Sequence, residues 1–156
     1  MTRVFLASAS EETRAFGKTL AGHLVAPCVI LIHGPLGAGK TTLIQGIAQG
    51  LGISEPVLSP TFALAHEYRG GRSPLFHLDL YRLTGPDEVW EAGLAEYLDA
   101  EGVTAVEWPD RLGALTPSAY LEIEIRIEDA PARTIRVEGH GPAAERTAQE
   151  LGSAPW

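Results

Sequence analysis

The stretch Cys28–Thr42, "CVILIHGPLGAGKTT", decides the fold. Its first half is a continuous apolar run, the pattern of a strand buried on both faces of a sheet. Its second half gathers glycines around Lys40, one of two lysines in the chain. Gly34, four residues, then Gly39, Lys40 and Thr41 complete the spacing of a phosphate-binding loop. The glycines free the backbone for left-handed angles and for close approach to oxyanions. Successive N–H groups then converge as a nest, and the start of the following helix adds positive potential. Lys40 supplies a point charge for the β- and γ-oxygens. The Thr41 hydroxyl can ligate Mg²⁺, and Thr42 can contact the α-phosphate side. A helix is expected over Thr41–Leu51, with Gly52 beyond its end. A strand before and a helix after separate a phosphate loop from a glycine-rich turn that binds nothing.

Outward from this loop, "RVFLA" (Arg3–Ala7) reads as a first strand. In "SASEETRAFGKTLAGHL", Ser8 and Glu11 form a capping-box pattern, and Phe16, Leu20 and Leu24 recur at helical spacing. "SPTFALAHEY" and "SPLFHLDLYRL" flank "RGGRS" as the arms of a hairpin. Period two puts Phe76, Leu78 and Leu80 on one face of the second arm, and His77, Asp79 and Tyr81 on the other, polar one. "GPDEVWEAGLAEYLDAEG" predicts one helix, with Pro86 at its start and Gly102 after its end. "VTAVEW" is a short buried strand. "YLEIEIRIED" alternates, with Leu121, Ile123, Ile125 and Ile127 inward, and "RTIRVEG" pairs with it across "APA". A last helix, "PAAERTAQELG", precedes a tail expected to fray over 151–156. The expected fold class is α/β: a single P-loop domain over 1–156 with a mixed sheet, parallel around the phosphate loop and antiparallel at the edge.

Composition narrows the function classes. With 156 residues, 45% hydrophobic and 21% charged, the chain can bury the core of one domain. A net charge of −8, with basic residues scattered, argues against autonomous nucleic-acid binding, which rests on phosphate neutralisation. A single cysteine, Cys28, cannot form an internal disulfide, which fits a cytoplasmic location. Its plain reading is a small core residue at a strand start. No apolar run is long enough for a membrane span. The five histidines show no zinc-like spacing with Cys28 or with one another.

A phosphate loop needs a carboxylate for the Mg²⁺ shell. Two strand-borne acids qualify, Asp79 in "FHLDLY" and Glu107 in "TAVEW". Glu107 ends an apolar strand, where an acid has few structural reasons to sit. Asp79 reads either as part of the site or as an exposed hairpin residue. Trp108 reads either as a core aromatic or as a surface on which adenine stacks. The guanine-reading Asn-Lys-x-Asp element does not occur, which favours ATP over GTP. Thr61 in "SPTF" resembles a switch threonine, or is a strand-start Thr.

Four elements in order, "GPLGAGKTT", "SPTFALAHEY", "FHLDLYRL" and "VEWPDRL", give the chain its resemblance to a known family. It resembles the TsaE (YjeE) family, the P-loop ATPases of bacterial tRNA threonylcarbamoyladenosine biosynthesis, over about Ser8 to Val137. The resemblance implies ATP binding with Mg²⁺, slow hydrolysis and association with a TsaB–TsaD pair. In that pathway TsaD transfers the threonylcarbamoyl group, and the ATPase resets the complex between turnovers, touching tRNA only indirectly. It also implies a phosphate loop at Gly37, Ala38, Gly39, Lys40, Thr41 and Thr42, and Mg²⁺ ligands at Thr41 and Glu107. It puts the essential aspartate at Asp79, nucleotide contacts at Trp108 and Arg133, and a further contact near Ser10. Lys40, Asp79 and Glu107 are thereby the expected catalytic set. Where other members carry an acid after the Trp, this chain has Pro109, so no role is carried over to that position. Two other classes fit a phosphate loop. A small-molecule kinase would need an arginine-rich lid, whereas "RLTGPDEVWEAGLAEYLDAEG" is acidic. A nucleotide-gated binding module would use Asp79 and Glu107 for ordering alone.

Overall fold

Strands and helices alternate along the chain in the order β1 (Thr2–Ala7), α1 (Ser10–Ala21), β2 (Cys28–His33), α2 (Lys40–Gly50), β3 (Ala65–Tyr68), β4 (Leu75–Asp79), α3 (Pro86–Glu91), β5 (Val103–Glu107), β6 (Tyr120–Ile127), β7 (Arg133–His140) and α4 (Pro142–Leu151). The computed structural model describes residues 2–60 and 63–152. Thr61 lies outside the described residues, as do positions 153–156 of the expected tail. Leu151, assigned to that tail from sequence, is instead the last residue of α4 and fully buried.

The strands form one sheet in the order β1-β7-β6-β2-β5-β4-β3. The pairs β6–β2, β2–β5 and β5–β4 are parallel. The pairs β1–β7, β7–β6 and β4–β3 are antiparallel. The mixed sheet is thus as expected, and both of its edges are antiparallel. β5 is buried along its whole length and β2 along all but its ends, as strands covered on both sides must be. One core cluster joins Ile30 and Ile32 of β2 to Phe16 and Leu20 of α1 and to Leu43 and Ile47 of α2. The other joins Val29 and Leu31 to Phe76 and Leu78 of β4, Val106 of β5 and Val89 of α3. Alternation along β2 therefore feeds two cores, one on each face of the sheet.

Several expectations are corrected. The stretch read as one helix after Pro86 is α3 followed by a 3₁₀ turn over Ala95–Asp99. Gly93 separates them at φ +75, a left-handed angle that an α-helix does not contain. The N-terminal bond of α1 is made by Glu12, not Glu11: its Oε2 accepts the Ser8 N–H at 2.6 Å. Ile127 is 41% exposed, because β6 runs past the core at that end. Cys28 packs only partly buried against the core, and burial pushes its thiol up to about 11. The face of this arm read as polar is buried at His77, half-buried at Asp79 and exposed at Tyr81. His77 is fully buried, because β4 lies between β3 and β5 rather than at the sheet edge. The alternation itself is right: Leu75 joins the α2-side core, while Phe76, Leu78 and Leu80 join the other.

Candidate nucleotide and metal site

The loop between β2 and α2 takes the shape its glycines permit. Gly37 and Gly39 have φ of +80 and +106, angles that strain any side chain. α2 then begins at Lys40, so that its free N–H groups face the loop's concave side. Arg133, at the start of β7, braces the loop from behind. Its Nε donates to the Ala38 carbonyl at 3.0 Å and its Nη2 to the Gly37 carbonyl at 3.2 Å. Lys40 is folded back within the loop, with Nζ donating to the Gly34 carbonyl at 2.6 Å and the Pro35 carbonyl at 2.9 Å. The same ammonium sits 4.4 Å from the centroid of the Trp108 ring. Burial lowers the Lys40 pKa, and the nearby Glu107 and Asp79 carboxylates oppose that.

The carboxylates come from adjacent parallel strands. Register places Asp79 of β4 beside Glu107 of β5. Glu107 is almost fully buried, and its Oε2 accepts from both the Thr41 hydroxyl at 3.1 Å and His77 Nε2–H at 2.6 Å. A carboxylate so placed is held rigidly, since two donors fix one of its oxygens. Asp79 is held differently: Oδ1 accepts the Tyr81 N–H at 3.0 Å, and Oδ2 accepts from Ser59 Oγ at 3.4 Å. Partial burial raises its pKa, the Tyr81 N–H pulls it down, and Glu107 pushes it up again. Trp108 follows Glu107 with a left-handed backbone, φ +58 and ψ +51. Such a conformation is costly for a bulky residue and clusters at functional sites. Here it aims the indole at Lys40 and at the Tyr81 ring, 5.0 Å away.

The structure sorts the expected residues into two cavities. One, of about 340 Å³, is lined by the loop from Gly37 to Thr42 together with Asp79, Glu107 and Trp108. The other, of about 280 Å³, brings Ser10 and Arg133 to Gly37, Ala38, Gly39 and Thr42, the loop's other flank. Pro109 is buried and opens a 3₁₀ turn over Pro109–Leu115. His77 was missed as a site residue. Phe76 and Leu78 beside it point to the opposite face by period two, so the sequence of β4 carries no signal of its inward contact with Glu107. Thr41 and Glu107 offer hard oxygen donors side by side, the chemistry a Mg²⁺ ion requires.

A parallel strand, a glycine loop bent by left-handed angles and a helix opening on a lysine define the chain as a phosphate-loop α/β domain. The family model for "Threonylcarbamoyl adenosine biosynthesis protein TsaE" matches residues 7–135. A tRNA threonylcarbamoyladenosine biosynthesis protein TsaE from Nostoc is 45% identical over 88% of this chain and 85% of its own length. The Bacillus subtilis protein of the same name is 40% identical over 90% of this chain and 88% of its own. The crystal structure of Bacillus subtilis YdiB superposes with a TM-score of 0.81 at 34% identity, covering 97% of this chain and 94% of that one. The chain belongs to the TsaE family.

Proposed function

We propose that this chain binds ATP with Mg²⁺ and hydrolyses it as the nucleotide-driven component of cytoplasmic tRNA threonylcarbamoyladenosine biosynthesis, acting with a TsaB–TsaD pair. The observation that carries the reading is the convergence of Lys40, Thr41, Glu107 and Asp79 on one loop-lined cavity. That cavity would take the β- and γ-phosphates, with Lys40 Nζ, now on the Gly34 and Pro35 carbonyls, supplying the point charge they need. Thr41 and Glu107 would hold Mg²⁺, which when bound would supply neutralisation of charge on the phosphate oxygens. Ser10, Thr42 and Arg133 flank the second cavity, which takes ribose and base. Trp108 then contacts the nucleotide from the phosphate side by covering Lys40. Asp79, its carboxyl raised above the ordinary carboxylate value chiefly by burial, accepts a hydrogen bond from the attacking water and orients its oxygen toward the γ-phosphorus. As the water oxygen bonds to the γ-phosphorus, the bond to the bridging oxygen breaks; ADP leaves with that oxygen and its electron pair, and the water's proton goes to the released phosphate. Among the described residues no arginine lines the first cavity, so the chain alone turns over slowly and the partner pair completes the site.

Phosphate release by the parent, Lys40→Ala and Asp79→Ala, each with and without TsaB–TsaD, tests this. Lys40→Ala should weaken ATP binding by about 1–3 kcal/mol, the scale of a lost charged hydrogen bond. Asp79→Ala should keep ATP affinity near normal and lose most turnover. Release that requires a small-molecule acceptor would mark a kinase instead, and full turnover in Asp79→Ala would remove that residue's role.

A further inference from the structure

On the sheet face that carries Glu122, Glu124, Arg136, Glu138 and His140, the ladder makes an unfavourable pairing. Register sets Glu122 of β6 directly opposite Glu138 of β7, and like charges so paired repel. Glu124, one step along the same face, is neutralised by Arg126 at 3.0 Å and Arg136 at 3.6 Å. Glu122 meets only imidazoles: His33 Nε2 lies 3.3 Å from its Oε2, and His140 Nε2 lies 3.5 Å from its Oε1. No ion pair engages Glu138 among the described residues. Both ring nitrogens are buried from solvent, yet neither has a hydrogen-bond partner among the described residues. An imidazole nitrogen and a carboxylate oxygen this close, without a hydrogen bond between them, can both be met by one cation. Donors at zinc-ligand distance from a tetrahedral ion lie roughly 3.3–3.6 Å apart, and the separation of His140 Nε2 from Glu122 Oε1, 3.5 Å, falls in that range. One donor atom from each of Glu122, Glu138 and His140 lies within 4.8 Å of the other two. Tyr120 stacks on the His140 ring, with centroids 4.4 Å apart and planes inclined by 23°, and so fixes the ring's direction.

We propose that Glu122, Glu138 and His140 form a binding site for a divalent transition-metal ion of the zinc class, with water completing the shell and His33 as a positioning residue on Glu122. The imidazole in the donor set selects this class over Mg²⁺ and Ca²⁺, which take oxygen ligands. His33 Nε2 lies beside Oε2 of Glu122 and His140 Nε2 beside Oε1, the oxygen left for the ion, so that ion binding would draw His33 into the outer-shell role. The site shares no residue with the phosphate-loop cavity. A bound cation removes the Glu122–Glu138 repulsion and cross-links β6 to β7, two strands whose hydrogen bonding already holds the ligands rigidly. Chain spacing hides the site, because strand register and not sequence proximity brings position 122 to positions 138 and 140.

The test is calorimetric titration of the full nucleotide-free chain, stripped with chelator, with Zn²⁺. The expected result is one ion per chain, with affinity lowered at least tenfold in His140→Ala and in Glu138→Gln. His33→Ala should lose on the order of tenfold, the scale of an outer-shell substitution. Glu107→Gln should bind Zn²⁺ as the parent does. Circular dichroism checks that each variant is folded. Co²⁺ added to the parent gives a second readout, the visible absorption of a tetrahedral nitrogen–oxygen site, independent of any variant's folding. No uptake by the parent, uptake that survives both ligand variants, uptake lost in Glu107→Gln, or no tetrahedral Co²⁺ band would each overturn the assignment.

Discussion

Asp79 and His77 sit two positions apart on one strand, and burial acts on them in opposite functional senses. Asp79 is held at a cost, since partial burial raises its carboxyl above the ordinary value of 3.8. An acid whose folded-state pKa is raised weakens folding as pH climbs past its unfolded value, and the penalty is complete above the folded value. Asp79→Asn keeps an acceptor for the Tyr81 N–H and removes the charge. It should therefore melt higher than the parent at pH 7, with the gain shrinking as pH falls toward 4 and both forms become neutral. Melting curves across that range check the sign, and an Asn variant less stable at pH 7 would contradict it. His77 is the reverse case. Its Nε2–H, 2.6 Å from Glu107 Oε2, satisfies an almost fully buried carboxylate. His77→Ala leaves that oxygen with Thr41 alone and should cost about 1–3 kcal/mol of stability, the penalty for an unmet buried acceptor. It should also raise the Mg²⁺ concentration needed for half-maximal turnover, because the carboxylate loses its anchor. Denaturant midpoints and a Mg²⁺ titration read the two effects separately.

Helices α1 and α2 pass backbone against backbone at Gly17 and Gly46. A Cβ added at Gly46 would lie 2.1 Å from the Arg14 carbonyl oxygen, and one at Gly17 2.4 Å from the Leu43 carbonyl oxygen. Gly46→Ala gains roughly 1 kcal/mol of helix propensity. It forces apart two backbones that cannot yield, which costs about 1–3 kcal/mol or more. A net loss of stability is expected, measurable as a lower denaturant midpoint. Gly85→Ala, where an added Cβ meets nothing within 4 Å, should stay within about 0.5 kcal/mol of the parent. The close approach matters for the site because α2 begins at Lys40. The strand-loop-helix unit was legible in sequence because three signals agree there: an apolar run, left-handed glycines and a helix start. The hairpins were legible because period two and turn residues agree. α3 was overextended because an apolar helical period continues through Gly93, and only the backbone angle shows the break. The inward direction of His77 was not legible from β4 alone, since its parity was plain but the neighbour on its open side was set by sheet order. The pairing of Glu122 with Glu138 was hidden for the same reason.

Across the whole molecule, charge is arranged against an independent grip on RNA. The formal net charge is −8, and several of its twelve basic residues are committed inward. Arg133 donates to the loop carbonyls of Gly37 and Ala38, and Arg111 Nε to the carbonyl of Leu83. Arg72 donates to the carbonyls of Ala21 and Leu24, closing the turn after α1. Lys40 is buried in its own loop. Of the arginines on the β6–β7 face, Arg126 and Arg136 are both paired with Glu124. Binding to a phosphate backbone draws its free energy from counterions released by available Lys and Arg, and its signature is a steep fall of affinity with salt. Few cations here are available, and a net negative field repels the ligand at distances beyond contact. The chain alone should therefore retain tRNA weakly and with little salt dependence, whether or not ATP and Mg²⁺ are present. Filter binding of labelled tRNA over a salt series measures both quantities. A tight complex that loosens steeply with salt would show a cationic surface that these contacts do not provide. If retention appears only when TsaB–TsaD is added, the pair and not this chain alone carries the RNA contact.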